Sequence, residues 1–522
     1  MSFLKHASNI GLWTIASRVG GFVREMLTAY YLGASAVVDA LVLALKLPSF
    51  IRRLTAEGTV NTCFIPLFSQ IVATKGEGNA KRFAASVLGL SLLFLLPVTL
   101  LFLIFSKTLL GSFFPGLLQT PERLEMATLY ARIIFPFIIF ISATALYGGV
   151  LNAFHRFSAF AASPFFGNLF IVSCVLLVLG LSSQSLSVFE SGLVFAIAIT
   201  LSGVVQLVVV LVGAWRSGNL FAPAWPQRSP QLTLFFKRLG PAALGSGMAQ
   251  INLFVGLLIA SLLPSGSISY LNYADRLVQL PLSVIGTAMG VALLPTLARA
   301  LSENRKDEAD RQQEKALTAT LLLSSLIVML LALTAPLIVF LTFKRGHFSQ
   351  HDVLQTARAL LFYAPGLPAY MMLKILASRF FSVGRITPPL IAGVAGLITD
   401  ITFSFAFLNV LGHVSIALAS SVAAWVNVGL LMFLLKRDAT WNCPPSLWFL
   451  FSKLLALASV LTAGLSFALP APHTSVLLLR GVLGTFLFVG GVRLFCWKEI
   501  GAVWYALLKR TGTQTTTLKK HL

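Results

Sequence analysis

Acidic residues are scarce in this chain. Of 522 residues only 17 are Asp or Glu against 39 Lys or Arg, and charged residues together make up 11%. An ordinary soluble domain carries roughly a quarter charged residues, so that class is excluded. Cysteine is nearly absent too: Cys63, Cys174, Cys443 and Cys496 stand singly, with no CxxC or Cys/His ligand spacing. That leaves no disulfide framework and no metal centre to propose, and each thiol is expected to be a small buried apolar group. The seven His are dispersed, and GxSxG, Walker and paired-carboxylate patterns are lacking. Nothing here warrants an enzyme. After Lys5 an apolar run is interrupted by Arg18 and Arg24, with no Ala-x-Ala-like cleavage site, so it reads as a first helix rather than a removed signal peptide.

Apolar residues supply what charge does not: 57% of the chain is hydrophobic and its mean hydropathy is +0.87. Apolar runs of more than about 18 residues, each able to cross a hydrocarbon core of roughly 30 Å as a helix, recur along almost the whole length. The expected fold is an all-α polytopic membrane protein. Fourteen spans are expected, near 8–32, 36–70, 83–112, 125–154, 159–181, 189–214, 236–263, 267–299, 316–343, 354–381, 387–409, 413–435, 448–469 and 475–497. The net charge of +22 is read through the positive-inside rule rather than as a nucleic-acid surface. Lys75, Lys81, Arg82, Arg156, Arg216, Arg299, Arg305, Arg385, Lys436 and Arg437 fall in alternate loops, which predicts both termini in the cytoplasm. Lys107, Arg123, Lys344 and Arg345 are the main exceptions.

Two stretches interrupt the spans. "ARALSENRKDEADRQQEK" is expected to link spans eight and nine on the cytoplasmic side, and the Pro-rich "AWRSGNLFAPAWPQRSPQL" divides the chain near its middle. A repeat lies across that division. "GASAVVDALVLALKLP", beginning at Gly33, and "GSISYLNYADRLVQLP", beginning at Gly266, share Gly, a small polar residue within the next two positions, and Leu-Pro at the same distance. Pro66 and Pro295 follow, the second nearer by about one helical turn. The copies enter the membrane in the same direction, a parallel repeat of the kind seen in transporters with two lobes. The expected organisation is an amino-terminal lobe over 1–218 (spans one to six), a linker over 219–230, a second lobe over 231–440 (spans seven to twelve), two further helices over 441–505 and a cytoplasmic tail over 506–522.

An ionised side chain at the centre of a lone helix costs roughly 2.5–3.5 kcal/mol on insertion scales, so such residues face a bundle interior or water. The first two spans hold Arg18, Arg24, Glu25, Asp39, Lys46, Arg52, Arg53 and Glu57. At about 100° per residue, Asp39, Lys46, Arg53 and Glu57 lie within roughly 40° of one line. Arg53 and Glu57 are spaced to pair at i, i+4; Arg52 points elsewhere and has no acidic residue nearby in sequence. Gly20-Gly21 and Pro48 are read as breaks that let guanidinium groups converge. Asp275, Arg276 and Lys374 add charges in later spans. Basic residues outnumber acids in this set, which calls for an anionic ligand, and the planar fork of Arg suits phosphate.

"SRVGGFVREMLTAYYLGASAVVDALVLALKLPSFIRRLTAEGTVNTCFIPLFS", Ser17 to Ser69, closely resembles the amino-terminal signature of the MurJ (MviN) family of lipid II flippases, within the superfamily of multidrug, oligosaccharidyl-lipid and polysaccharide exporters. "GVLNAFHRFSAFAASPFFGN", "YADRLVQLPLSVIGTAMGVALLPTLAR" and "ITPP" add to the likeness, and the fourteen expected spans fit a family with two helices beyond the twelve of related exporters. The resemblance implies two lobes around a central cavity and translocation of lipid II, an undecaprenyl-pyrophosphate-linked disaccharide peptide, from the inner to the outer leaflet of the bacterial inner membrane. By position it implies Arg18, Arg24, Arg52, Arg53 and Arg276 as cavity cations, Asp39 and Glu57 as their acidic partners, Ser269 as a cavity serine and Lys374 as a later-helix cation, with the last two spans forming a groove for the polyprenyl tail. No cofactor is implied; coupling to the membrane potential or to a monovalent ion is left open. Lipid II, membrane lipids and cell-wall synthesis proteins are the partners it implies. Ala161, where the family usually has Pro, and Val383-Gly384, in place of a polar pair, depart from its pattern at the cytoplasmic gate. Two other readings remain: an exporter of another polyprenyl-linked glycan or an amphiphilic drug, and a non-transporting scaffold for cell-wall enzymes.

Overall fold

A computed structural model describes residues 2–52, 63–181, 186–226, 229–438, 441–469 and 474–495, and among them every regular element is helical. In order these are α1 (Ser2–Leu32), α2 (Ala36–Arg52), α3 (Ile65–Lys75), α4 (Glu77–Phe113), α5 (Pro121–Ile134), α6 (Phe137–Ala153), α7 (Ser158–Gly180), α8 (Val188–Arg216), α9 (Pro230–Ser261), α10 (Ser267–Pro281), α11 (Ala288–Ser302), α12 (Lys306–Phe343), α13 (Gln350–Tyr363), α14 (Leu367–Ser382), α15 (Thr387–Leu411), α16 (Val414–Arg437), α17 (Pro445–Ala468) and α18 (Thr474–Phe495).

Eleven helical segments among the described residues are long and apolar enough to cross a membrane. Three of them are bent: α5 and α6 meet at Pro136, α10 and α11 join through the π turn Leu282–Thr287, and α13 and α14 through the 3-10 turn Ala364–Gly366. Proline at or just before each bend removes a backbone donor and so loosens the helical ladder there. The expected spans 8–32, 36–70 and 236–263 are not among the eleven. α1 carries Arg18, Arg24 and Glu25 along its length, the middle of 36–70 lies outside the described residues, and within 236–263 the side chains are described continuously only from Ile251, where Ile251–Ser261 is an apolar helical stretch.

Two expectations about helix breaks are corrected. α1 runs unbroken through Gly20-Gly21, and α2 continues past Pro48 to Arg52. The mixed-charge link between spans eight and nine is also mostly helix, since only 303–305 separate α11 from α12. Asp307 and Glu308 occupy the first turn of α12, where negative charge is favoured by the helix dipole, and Arg305 pairs with both Glu303 and Glu308.

The repeat has a backbone counterpart. Gly33 and Gly266 both adopt positive φ, 65° and 93°, in the turns that lead into α2 and α10. Glycine reaches that region without the steric penalty a side chain would bring.

The chain forms two compact units, one of Met1–Asn272 with Phe343–Asp352, the other of Tyr273–Thr342 with Val353–Leu522. In the first, Phe64 stacks on Phe68 and Phe83, with Cys63 buried beside them as expected. In the second, α17 and α18 join the core through Leu450, Leu454 and Phe488. Cys443 is half-buried there, and burial aided by the nearby Glu314 charge pushes its thiol up to about 11.

Candidate substrate-binding residues

The first unit places the amino-terminal charges on two different features. On α1, Gly20 and Gly21 face Asn168 of α7, and a Cβ built on Gly20 would sit 3.3 Å from the Asn168 Cβ. These glycines let two helices approach closely, as small residues do in membranes. The approach brings Asn168 to Arg24: one guanidinium nitrogen donates to Asn168 Oδ1 at 3.2 Å and another to Glu25 Oε1 at 2.9 Å. Asn168 in turn donates to the Ser17 carbonyl at 3.2 Å, and Asn272 to Glu25 at 3.5 Å. Arg24 is thus held at part-burial by a carboxylate and an amide. Two of the five N–H donors of a guanidinium are used in those bonds, so donors remain for an anion. Arg18 is exposed on the same helix.

The resemblance implies Asp39 as an acidic partner of the cavity cations and Ser269 as a cavity serine. Both are buried, 1% and 0% exposed, and they are spent on each other. The Ser269 hydroxyl and backbone N–H donate to Asp39 Oδ1 at 2.6 and 2.8 Å, and Gly266 N–H donates to Oδ2 at 2.7 Å. Arg123, itself buried, approaches Oδ2 at 3.5 Å and donates to the Leu263 carbonyl at 3.3 Å. The carboxylate therefore caps the first turn of α10, where helix N–H groups lack intrahelical partners. It joins α2, α5 and α10. Nearby the turn after α12 is strapped down: His347 N–H donates to the Tyr30 carbonyl at 2.9 Å, and the Tyr270 hydroxyl to Asp352 at 3.0 Å.

Lys46 and Arg52 are half-buried on α2, and Arg52, expected to lack a partner, is engaged by neighbouring groups. Arg53 and Glu57 lie outside the described residues. In the second unit Arg276 is half-buried and engaged, while Asp275 is held by Gln279 one turn further along α10. Lys374 is exposed on α14, where a Cβ on Gly290 would lie 3.2 Å from its Cβ. The structure brings Arg24 together with Glu25, and Asp39 together with Ser269. Both of these groups lie within the first unit.

Four polar residues escaped the sequence reading. Arg123 was visible as a basic residue in a loop of the wrong sign. Asn168 has no signal beyond its place in an apolar helix. Arg379, 1% exposed on α14 and five residues from Lys374, donates to Asp310 at 2.7 Å and to the buried Gln313 at 3.3 Å. Asp400 is buried on α15, with the Ser420 hydroxyl at 3.4 Å.

Eleven apolar helical segments long enough to cross a membrane among the described residues, with arginine and carboxylate side chains held between helices, mark a polytopic membrane protein, and its fold is that of the MOP-superfamily transporters. A multidrug resistance MATE family transporter of that superfamily, described as inward-facing, is similar with a TM-score of 0.68 at 16% identity, covering 81% of this chain and 94% of that one. A structure described as lipid II flippase MurJ, inward closed conformation, is similar with a TM-score of 0.79 at 22% identity over 94% of this chain and 99% of the other. The family model for lipid II flippase MurJ matches residues 28–483. Probable lipid II flippases MurJ from Buchnera aphidicola subsp. Acyrthosiphon pisum and from Rhizobium meliloti are each 33% identical, covering 83% and 89% of this chain and 83% and 86% of theirs. The chain belongs to the MurJ family of lipid II flippases.

Proposed function

We propose that this chain carries lipid II from the inner to the outer leaflet of the bacterial cytoplasmic membrane by alternating access, with both termini in the cytoplasm. The observation that carries the reading is the Arg24 guanidinium, oriented within α1 by Glu25 and Asn168 and left with donors to spare. A pyrophosphate presents paired oxygens to that fork. Arg24, Arg52 and Arg276 engage the pyrophosphate, Arg18 and Lys374 add long-range attraction, and the last two helices accompany the polyprenyl tail. Membrane lipids and cell-wall synthesis proteins are the further partners of this reading.

Asp39 and Ser269 serve it indirectly. Their bonds hold the first turn of α10 against α2 within the first unit. Movement of the anion outward is favoured by an inside-negative potential by roughly 2.3 kcal/mol per charge per 100 mV, so the potential serves as driving force without a bound cofactor.

The test is complementation. In a bacterium depleted of its own lipid II flippase, the chain restores growth and Arg24→Ala, expressed at the same membrane level, does not. Restoration by Arg24→Ala would remove the residue on which the reading turns.

A further inference from the structure

A recess of about 210 Å³ opens in the first unit where the α6–α7 turn meets the end of α8. On the same measure one water needs roughly 10–15 Å³, so the space holds a multi-atom group. Arg156 and Ser158 line it from the α6–α7 side, Arg216 and Ser217 from the end of α8, and Leu151, Ala159 and Gly213 supply its apolar lining. Gly213 is required there: a Cβ would fall 2.5 Å from that of Ala159.

Both arginines are exposed, and among the described residues neither side chain has an ion-pair or hydrogen-bond partner. A third cation stands close by, since Lys81 donates to the Gly218 carbonyl at 2.7 Å two residues beyond Arg216. Ser217 is already turned inward, its hydroxyl donating to the Gly213 carbonyl at 2.9 Å. The first turn of α7 has no side-chain cap. Two arginines from separate segments thus line one concave site, and no acidic side chain among the described residues pairs with either.

Positive-inside placement alone accounts for arginine in these loops. It does not account for two of them facing one recess, where like charges repel unless an anion lies between them. The recess is at the end of a membrane-crossing helix, with Trp215 68% exposed beside it, a placement typical of the headgroup level. The apolar lining suits the glycerol and upper acyl atoms of a lipid rather than a free ion.

We propose that Arg156 and Arg216 form a site for the phosphodiester of an anionic phospholipid in the leaflet assigned to the cytoplasm, separate from the residues that engage the transported substrate. The shared chemistry is a phosphate oxyanion held by two forks; inorganic phosphate is the other source to be distinguished.

The full chain, purified in detergent, is titrated with phosphatidylglycerol, phosphatidylcholine or inorganic phosphate, and bound molecules are counted by native mass spectrometry. Phosphatidylglycerol is expected to bind more tightly than phosphatidylcholine and to stay bound in excess inorganic phosphate. Arg156→Gln with Arg216→Gln is expected to weaken phosphatidylglycerol at least about tenfold, the equivalent of one charge-assisted hydrogen bond, and to leave phosphatidylcholine unchanged. Arg216→Gln alone, which perturbs the fold less, is expected to lose part of the affinity. Wild-type affinity in both variants would overturn the site, as would equal binding of the two lipids. Displacement by inorganic phosphate would assign the recess to the free ion instead.

Discussion

The Asp39 carboxylate and Ser269, 230 positions apart in the chain, form a closed pair: one carboxylate oxygen accepts both the hydroxyl and the backbone N–H of Ser269, at 2.6 and 2.8 Å. Every other group against that carboxylate is also a donor, Gly266 N–H at 2.7 Å and Arg123 at 3.5 Å. Asp39→Asn therefore puts an amide NH2 against donors whichever way it is flipped. It is expected to cost about 1–3 kcal/mol, the range for leaving a buried polar group unsatisfied, and Ser269→Ala about 1 kcal/mol. Thermal melting of the purified protein checks both. The two losses are expected to fall short of additive, because they remove parts of one bond set.

Arg379 is the most buried cation described in the second unit, and it ties α14 to α12 through Asp310 and Gln313. Breaking a buried pair strands the remaining partner. Arg379→Met is expected to cost about 3 kcal/mol, at the lower end for such pairs, because the Asp310 side chain keeps 34% of its exposure. Asp310→Asn is expected to cost less, since the arginine retains Gln313. Melting temperatures of the two variants give the order directly.

Gly20 owes its place to the close approach of α1 and α7. Gly20→Val is expected to push Asn168 away from Arg24 and to reduce growth in the complementation assay, with a lower melting temperature. Gly256→Ala is the matched control, since a Cβ there meets nothing within 4 Å. It is expected to leave growth intact and to gain up to about 1 kcal/mol of helix propensity.

The last two helices are tied by bonds from side-chain cations to backbone carbonyls. Arg480 of α18 donates to the carbonyls of Leu469 and Ser466 at 2.7 and 3.1 Å, and Lys453 of α17 donates to that of Phe495 at 3.0 Å. Arg480 covers carbonyls at the end of α17, which have no intrahelical donor. Arg480→Ala is expected to fray the end of α17 and to speed hydrogen exchange of the amides near 465–469, with the amides of α4 unchanged.

Hydropathy made the helices legible, because lipid leaves a spanning segment no way to satisfy its backbone other than a helix. The expected 189–214 and 413–435 differ from α8 and α16 by a few residues at each end. The bends at Pro136 and Leu282–Thr287 were not legible, since a continuous apolar run has the same composition bent or straight. At the site, Arg24 and Asp39 stood out because charge is costly in a span. Their partners did not: Asn168 and Ser269 are ordinary residues whose roles depend on contacts across 144 and 230 positions. Gly20-Gly21 was read as a hinge because glycine loosens a helix, and it proved to be a packing surface because glycine also admits a neighbour.

The central claim is that arginines bind the pyrophosphate of lipid II. The most direct measurement is the affinity of the purified chain for lipid II, for the same lipid-linked sugar with a single phosphate, and for an uncharged polyprenyl analogue, each repeated with Arg24→Ala. Affinity is predicted to fall in that order, and Arg24→Ala to weaken lipid II most and the uncharged analogue least. Equal affinity for all three, or an equal loss for all three in the variant, would contradict it.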